Sequence, residues 1–219
     1  MLERVNVWEA PVRILHWVHV ASMGVLGATG LYIAYPFIDA NDIGGIYVMG
    51  WVRFVHFSAA FVLAVAFLLR FYWFFKGNHY EHWRAWIPVD KHRWQAFCRM
   101  LRYYLFIDSK RPNYVGVNPI AGLTYIILGV LLVLQGMTGF ALFSLPFPSS
   151  FWTGTFGWLV VLFGAQPLRL IHHVLLWLFV GFFIGHIYLN VLDDIEERSG
   201  GFVSIISGEK FEPAMEQEE

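Results

Sequence analysis

From Pro112 to Leu168 the chain runs 57 residues without one Asp, Glu, Lys or Arg. Three more charge-free runs cover Ile14–Ile38, Phe54–Leu69 and Leu170–Leu192. A bilayer core takes about 20 apolar residues per helix. Only 14% of the chain is charged, against roughly 25% in an ordinary soluble domain. Too few charges remain to coat a soluble surface of this size, so the sequence reads as an integral membrane protein. The expected fold is an all-α bundle of four spanning helices at about 13–35, 51–75, 119–143 and 169–192.

The longest run has room for two spans, but Pro146, Pro148, Ser149 and Ser150 interrupt it. The stretch 151–163 that follows is too short to cross alone. Its Phe and Trp content predicts an extra interfacial helix; a fifth span is the alternative. The polar connection 76–118 contains Trp94, Phe97, Cys98, Leu101 and Leu105 at helical spacing, a pattern suited to a helix lying along the surface. The N-terminus does not read as a signal peptide, because Glu3, Arg4 and Glu9 precede an apolar run too long for an h-region. Residues 1–208 read as one membrane domain and 209–219 as a loose acidic tail.

Four spans put both termini and the 76–118 connection on one side. That side carries 13 of the 15 basic residues, and the other holds only Arg53 and Arg169. The positive-inside rule then places both termini in the cytoplasm. Net charge is −1, with no basic excess to meet the phosphates of a nucleic acid. The single cysteine, Cys98, excludes an internal disulfide framework, a CxxC redox pair, a CxxCH attachment and a thiolate zinc site.

Nine histidines in so apolar a chain require explanation. Six fall in the spans: His16, His19, His56, His172, His173 and His186. Polar rings in a spanning helix face the bundle and usually have a function; hydrogen bonding between helices is the plainer one. His172 and His186 are 14 residues apart, within about 40° of four full turns and about 21 Å along the axis. His173 is rotated about 140° from His186, which leaves it as a neighbour or interface residue. Alternating helix direction places His16 and His186 near the inner surface, and His56 and His172 near the outer. Two histidine pairs on facing helices at two depths suit two six-coordinate haems, whereas zinc would need three or four ligands at one level. His19, one turn beyond His16, is the alternative inner ligand. His79, His82 and His92 read as solvated loop residues.

Small residues punctuate the spans at Gly24, Gly27, Gly30, Gly136, Gly139, Gly181 and Gly185, where helices or a flat ring can approach the backbone. Thr29-Gly30 and Thr138-Gly139 sit in similar strings, GATGLYI and GMTGFAL, a faint hint of an internal repeat. Arg13, Arg53 and Arg169 each precede a paired histidine by three residues. They share its face and suit haem propionates, or alternatively the membrane interface.

The sequence closely resembles the b-type cytochrome subunits of membrane-bound [NiFe]-hydrogenases, within the cytochrome b561 and formate dehydrogenase gamma superfamily. The matching strings include EAPVRILHW at 9–17, MGWVRFVHF at 49–57, RFYW at 70–73, GNHY at 77–80 and VNPIA at 117–121. Others are TGFAL at 138–142, HHVLLW at 172–177, GHIY at 185–188 and DDI at 193–195. The resemblance implies two b haems ligated by His16, His56, His172 and His186, with His16 preferred to His19. It implies a multi-pass subunit of the bacterial inner membrane that docks the small and large subunits of a periplasmic hydrogenase. It further implies electron transfer to membrane quinone, with Asn118 and Tyr114 near the quinone site, and no H2 activation by this chain itself. Two rival readings are a gamma-type subunit of a formate dehydrogenase or similar oxidoreductase, and a haem-free anchor or transporter. The chain departs from the common pattern at Arg169, often histidine, and at Gly116-Val117-Asn118-Pro119, often GHNP.

Overall fold

The computed structural model describes residues 2–37, 47–88, 91–110, 118–197 and 200–213. Four long helices dominate: α1 (Ala10–Ala34), α2 (Val48–Lys76), α5 (Pro119–Phe143) and α8 (Ala165–Glu197). Each is long and apolar enough to cross a membrane. They are apolar all round rather than along one stripe, the pattern of a helix surrounded by lipid and other helices. Such a helix satisfies its backbone internally, which hydrocarbon demands.

The shorter elements are α3 (Trp83–Trp86), α4 (Lys91–Tyr104), α6 (Ser150–Trp152), a π-helical turn (Thr153–Gly157), α7 (Trp158–Phe163) and α9 (Gly201–Ser207). The α6–α7 segment spans Ser150–Phe163 and is too short to cross, so the fifth span is not formed. Ser149 opens it by accepting a hydrogen bond from Trp152 N–H at 3.3 Å. Gly164, at φ +79°, turns the chain from α7 into α8. Leu159 of this segment packs with Ala141 and Leu168, anchoring it against α5 and α8. The helix α4 is the amphipathic one, with Trp94 stacked on Phe97, and Met100 buried.

A two-stranded antiparallel sheet joins the ends of the chain: β1 (Leu2–Asn6) pairs with β2 (Glu209–Pro213). Arg4 Nε donates to Glu209 Oε2 at 2.6 Å across it. Strand β2 therefore takes up the first five residues expected in the loose acidic tail; the other six, 214–219, lie outside the described residues.

Consecutive spans run in opposite directions, so the starts of α1 and α5 meet the ends of α2 and α8 at the same end of the bundle as the sheet. We call this the terminal end. Two local features set it. Pro119 occupies the first turn of α5, and Asn118 caps it by accepting from Ile120 N–H at 2.9 Å. Gly122 then allows α5 to press against α3: a Cβ there would lie 2.7 Å from the Trp86 carbonyl oxygen. Backbone packing is closest within two pairs, α1 with α2 and α5 with α8, and sparse between the pairs among the described residues. At the far end the pairs are bridged by aromatic rings, with Phe57 on Phe143 at 4.8 Å and Phe61 on Phe140 at 5.5 Å.

Candidate functional site

The seam between the two helix pairs carries four histidines at two levels. At the terminal end, the His16 ring on α1 faces the His186 ring on α8, with centroids 6.5 Å apart and planes tilted by 47°. These two residues are 170 positions apart in sequence, and only antiparallel packing brings them together. Phe182 stacks on His186 at 5.2 Å, and Tyr125 meets it edge-on at 5.9 Å. The Asn190 side-chain nitrogen sits 3.1 Å from His186 Nδ1. His19, the alternative partner, donates its Nδ1–H to the Leu15 carbonyl at 2.6 Å.

At the far end, His56 on α2 and His172 on α8 are close enough to act on each other electrostatically. Each is held in the same way. Thr29 Oγ1 lies 2.9 Å from His56 Nδ1, and Thr138 Oγ1 lies 3.0 Å from His172 Nδ1. Thr29 donates its hydroxyl proton to the Val25 carbonyl at 2.6 Å, and Thr138 donates to that of Leu134 at 3.0 Å. A hydroxyl has one proton and a carbonyl only accepts. Each threonine oxygen must therefore accept from the imidazole, which fixes the hydrogen on Nδ1 and leaves Nε2 with its lone pair. The Gln135 side-chain nitrogen lies 3.3 Å from His172 Nε2.

The glycine after each threonine completes the seat. A Cβ on Gly30 would stand 3.3 Å from His56 Cε1, and one on Gly139 would stand 3.1 Å from His172 Cε1. Both rings thus lie against bare backbone. The similar strings around Thr29 and Thr138 are the sequence trace of this repeated seat, whose hydroxyl role the sequence did not disclose. Elsewhere in the spans, a Cβ on Gly24, Gly136, Gly181 or Gly185 would meet nothing within 4 Å.

A haem held by two imidazoles needs a deprotonated ring nitrogen from each side, each ring oriented by its other nitrogen. His56 and His172 meet that requirement, and His16 and His186 stand opposite each other as a second pair. Among the described residues, no three His, Cys, Asp or Glu side chains converge as a metal cluster would need. The donor set fits two bis-histidine haems.

The remaining candidates lie as follows. Arg53 and Arg169 are exposed at the far end. Arg13 donates from Nη1 to the Ile206 carbonyl at 2.5 Å, tying α1 to α9. His173 turns away from the pair and donates Nδ1–H to the Arg169 carbonyl at 2.7 Å. Asn118 is buried and donates from Nδ2 to Tyr104 Oη at 3.2 Å. Tyr114 lies outside the described residues. His82 accepts from Arg84 N–H at 3.4 Å and caps α3. Sequence reasoning missed Gln135, Asn190, Arg70 and Glu81.

The family model described as prokaryotic cytochrome b561 matches residues 7–208. A probable Ni/Fe-hydrogenase B-type cytochrome subunit of Bradyrhizobium diazoefficiens is 40% identical, over 94% of this chain and 85% of that protein. The like-named subunit of Azotobacter vinelandii is 37% identical, over 93% and 87% respectively. A probable Ni/Fe-hydrogenase 1 B-type cytochrome subunit of Escherichia coli is 34% identical, over 92% and 88%.

Proposed function

The chain belongs to the prokaryotic cytochrome b561 family, and from that premise we propose that it is the dihaem b-type cytochrome subunit of a membrane-bound Ni/Fe-hydrogenase. The paired histidines at two levels of the bundle carry this reading. His16 and His186 would ligate one haem at the terminal end, and His56 and His172 the other at the far end. Haem supplies one-electron redox chemistry; the protein sets ligand strength, spacing and charge around it.

The basic residues support an orientation with the termini in the cytoplasm and residues 1–208 as one unit of the bacterial inner membrane. The far end would then meet the small and large subunits of a periplasmic hydrogenase. Arg53 and Arg169, one turn before His56 and His172, would hold propionates there. Electrons from H2 oxidation would enter at the far end and leave for quinone at the terminal end, near Asn118. The names of the relatives favour hydrogenase over formate dehydrogenase as the partner.

Purified with its hydrogenase, the chain is expected to give a reduced-minus-oxidised b-type spectrum and two haems per copy. A protein without Soret absorbance would return the chain to the haem-free anchor.

The threonine seats make a finer prediction. A hydrogen bond from Nδ1–H makes the imidazole a stronger donor to its metal, which favours ferric iron and lowers the potential. Thr138→Val keeps the shape and removes the acceptor. It should raise the midpoint potential of the far-end haem and weaken its retention by about 10- to 100-fold. Thr138→Ser should restore both. Redox titration checks this, and an unchanged potential in Thr138→Val would remove the role assigned to the hydroxyl.

A further inference from the structure

Arg70 is a guanidinium inside a spanning helix, six residues before the end of α2. A charge there is costly and needs a partner. Its planar group lies over the Trp86 ring, 4.8 Å from the centroid, and Nη1 is buried without a hydrogen-bond partner. It acts electrostatically on His16 and His19 on one side and on Glu81 on the other.

Glu81 is fully buried, just beyond the end of α2. Its position is built, not incidental. Asn78 Oδ1 accepts from Tyr80 N–H at 2.9 Å and from Glu81 N–H at 3.1 Å, which shapes the turn. Gly77 leaves the carboxyl its space: a Cβ there would stand 2.9 Å from Glu81 Cβ and 3.0 Å from Oε2. Oε1 accepts from Glu9 N–H at 2.6 Å, while Oε2 is buried and unbonded. The Glu9 carboxyl acts electrostatically on that of Glu81 and accepts from Trp73 Nε1–H at 2.7 Å. Two carboxyls close together are costly to ionise together, which raises the affinity of Glu81 for a proton. Burial first, and then the Glu9 carboxylate, push Glu81 up to about 7, against the opposing pull of Glu9 N–H and Arg70. The charged groups facing Glu81 are therefore Glu9 and Arg70, with His16 and His19 beyond Arg70.

We propose that Glu81, with Glu9 and Arg70, is a proton-binding site coupled to the electron occupancy of the cofactor held by His16 and His186. The inference rests on the assignment of those two histidines as haem ligands. When an electron arrives on that haem, the added negative charge weakens the hold of Arg70 on the Glu81 carboxylate. One proton from the aqueous phase then binds Glu81 Oε2, and it leaves when the electron leaves. One electron and one proton enter, and no bond other than O–H is made. The site thus places a titrating acid at the end of the bundle where the quinone reaction would need protons.

The test is a redox titration of both haems in the intact complex between about pH 5.5 and 8.5, with Glu81→Gln beside the wild type. The His16/His186 haem should fall in potential as pH rises from about 6 to 8. The slope should stay below 59 mV per tenfold change in proton activity, the limit for one proton per electron. Glu81→Gln should flatten that slope and leave the pH profile of the other haem unchanged. A flat wild-type profile, or an unaltered slope in Glu81→Gln, overturns the proposal. Infrared difference spectra of the wild type supply a readout that needs no variant: reduction of this haem should produce a protonated-carboxyl band that shifts in heavy water. Absence of that band also overturns it. A His16→Ala protein that keeps both haems would instead refute the ligand assignment, a separate failure.

Discussion

His56→Ala and His172→Ala are each expected to lower the haem content from two per chain to one, and both should remove the same haem. His16→Ala and His186→Ala should remove the other. Each pair spans two helices, α2 with α8 and α1 with α8, so neither partner can be supplied by its neighbours. His173 adjoins His172 but points away and is committed to the Arg169 carbonyl. His19 is the nearest substitute for His16, but its Nδ1–H is bound to Leu15 and its ring is not the one facing His186. The effect should be close to all-or-none per site, because iron left with one imidazole loses half of its protein bonds. Pyridine haemochrome quantification and the two redox steps measure it. Loss of both haems from His56→Ala, in a protein that still inserts and folds, would defeat the assignment by depth. So would loss of the terminal-end haem from His172→Ala.

The spans were legible because hydrocarbon leaves the backbone few options. A run free of charge and of sufficient length must be helical, and Pro119–Phe143 was found at the bounds its apolar run predicted. The same criterion failed where a helix leaves the membrane. Charges at Asp193 and Asp194 end the apolar run, but α8 continues to Glu197, since acidic residues oppose burial, not helicity. The β1–β2 pairing was invisible for another reason. LERVN and EKFEP are short strands whose partners lie about 200 residues apart, and no local pattern reports so distant a partner.

The histidines were legible as pairs because helix periodicity and alternating direction determine depth and face, and the His16–His186 approach agrees with that reckoning. Their supports were not. A threonine in a helix bonds the carbonyl four residues back by default, so Thr29 and Thr138 look ordinary in sequence. Only the packing of α1 on α2 and of α5 on α8 reveals the second use of each hydroxyl. Arg70 and Glu81 were hidden likewise. One read as the charged end of an apolar run and the other as a residue of a polar loop, until folding buried Glu81 and the Nη1 of Arg70.

Gly139→Leu is expected to expel the far-end haem by moving its ligand rather than deleting it. Even the first carbon of a side chain at Gly139 would stand 3.1 Å from His172 Cε1, tighter than ordinary carbon contact. The ring cannot retreat freely: Thr138 holds Nδ1 at 3.0 Å, and a bound metal would hold Nε2. A branched side chain must therefore displace the imidazole or push α5 away from α8, and either movement breaks the coordination. Gly30→Leu should act in the same way on His56, where the notional contact is 3.3 Å. The control is Gly129→Ala on the same helix as Gly139. Its new methyl would only touch Phe67 at 3.9 Å, and helix propensity alone favours it by about 1 kcal/mol. Haem quantification should show Gly129→Ala with the full complement and Gly139→Leu with the terminal-end haem only. Full occupancy in Gly139→Leu would mean that His172 is not held against the α5 backbone. The smaller Gly139→Ala should keep the haem but alter its potential and ligand-field spectrum, because a few tenths of an ångström at the ring are enough to tilt an axial ligand without detaching it.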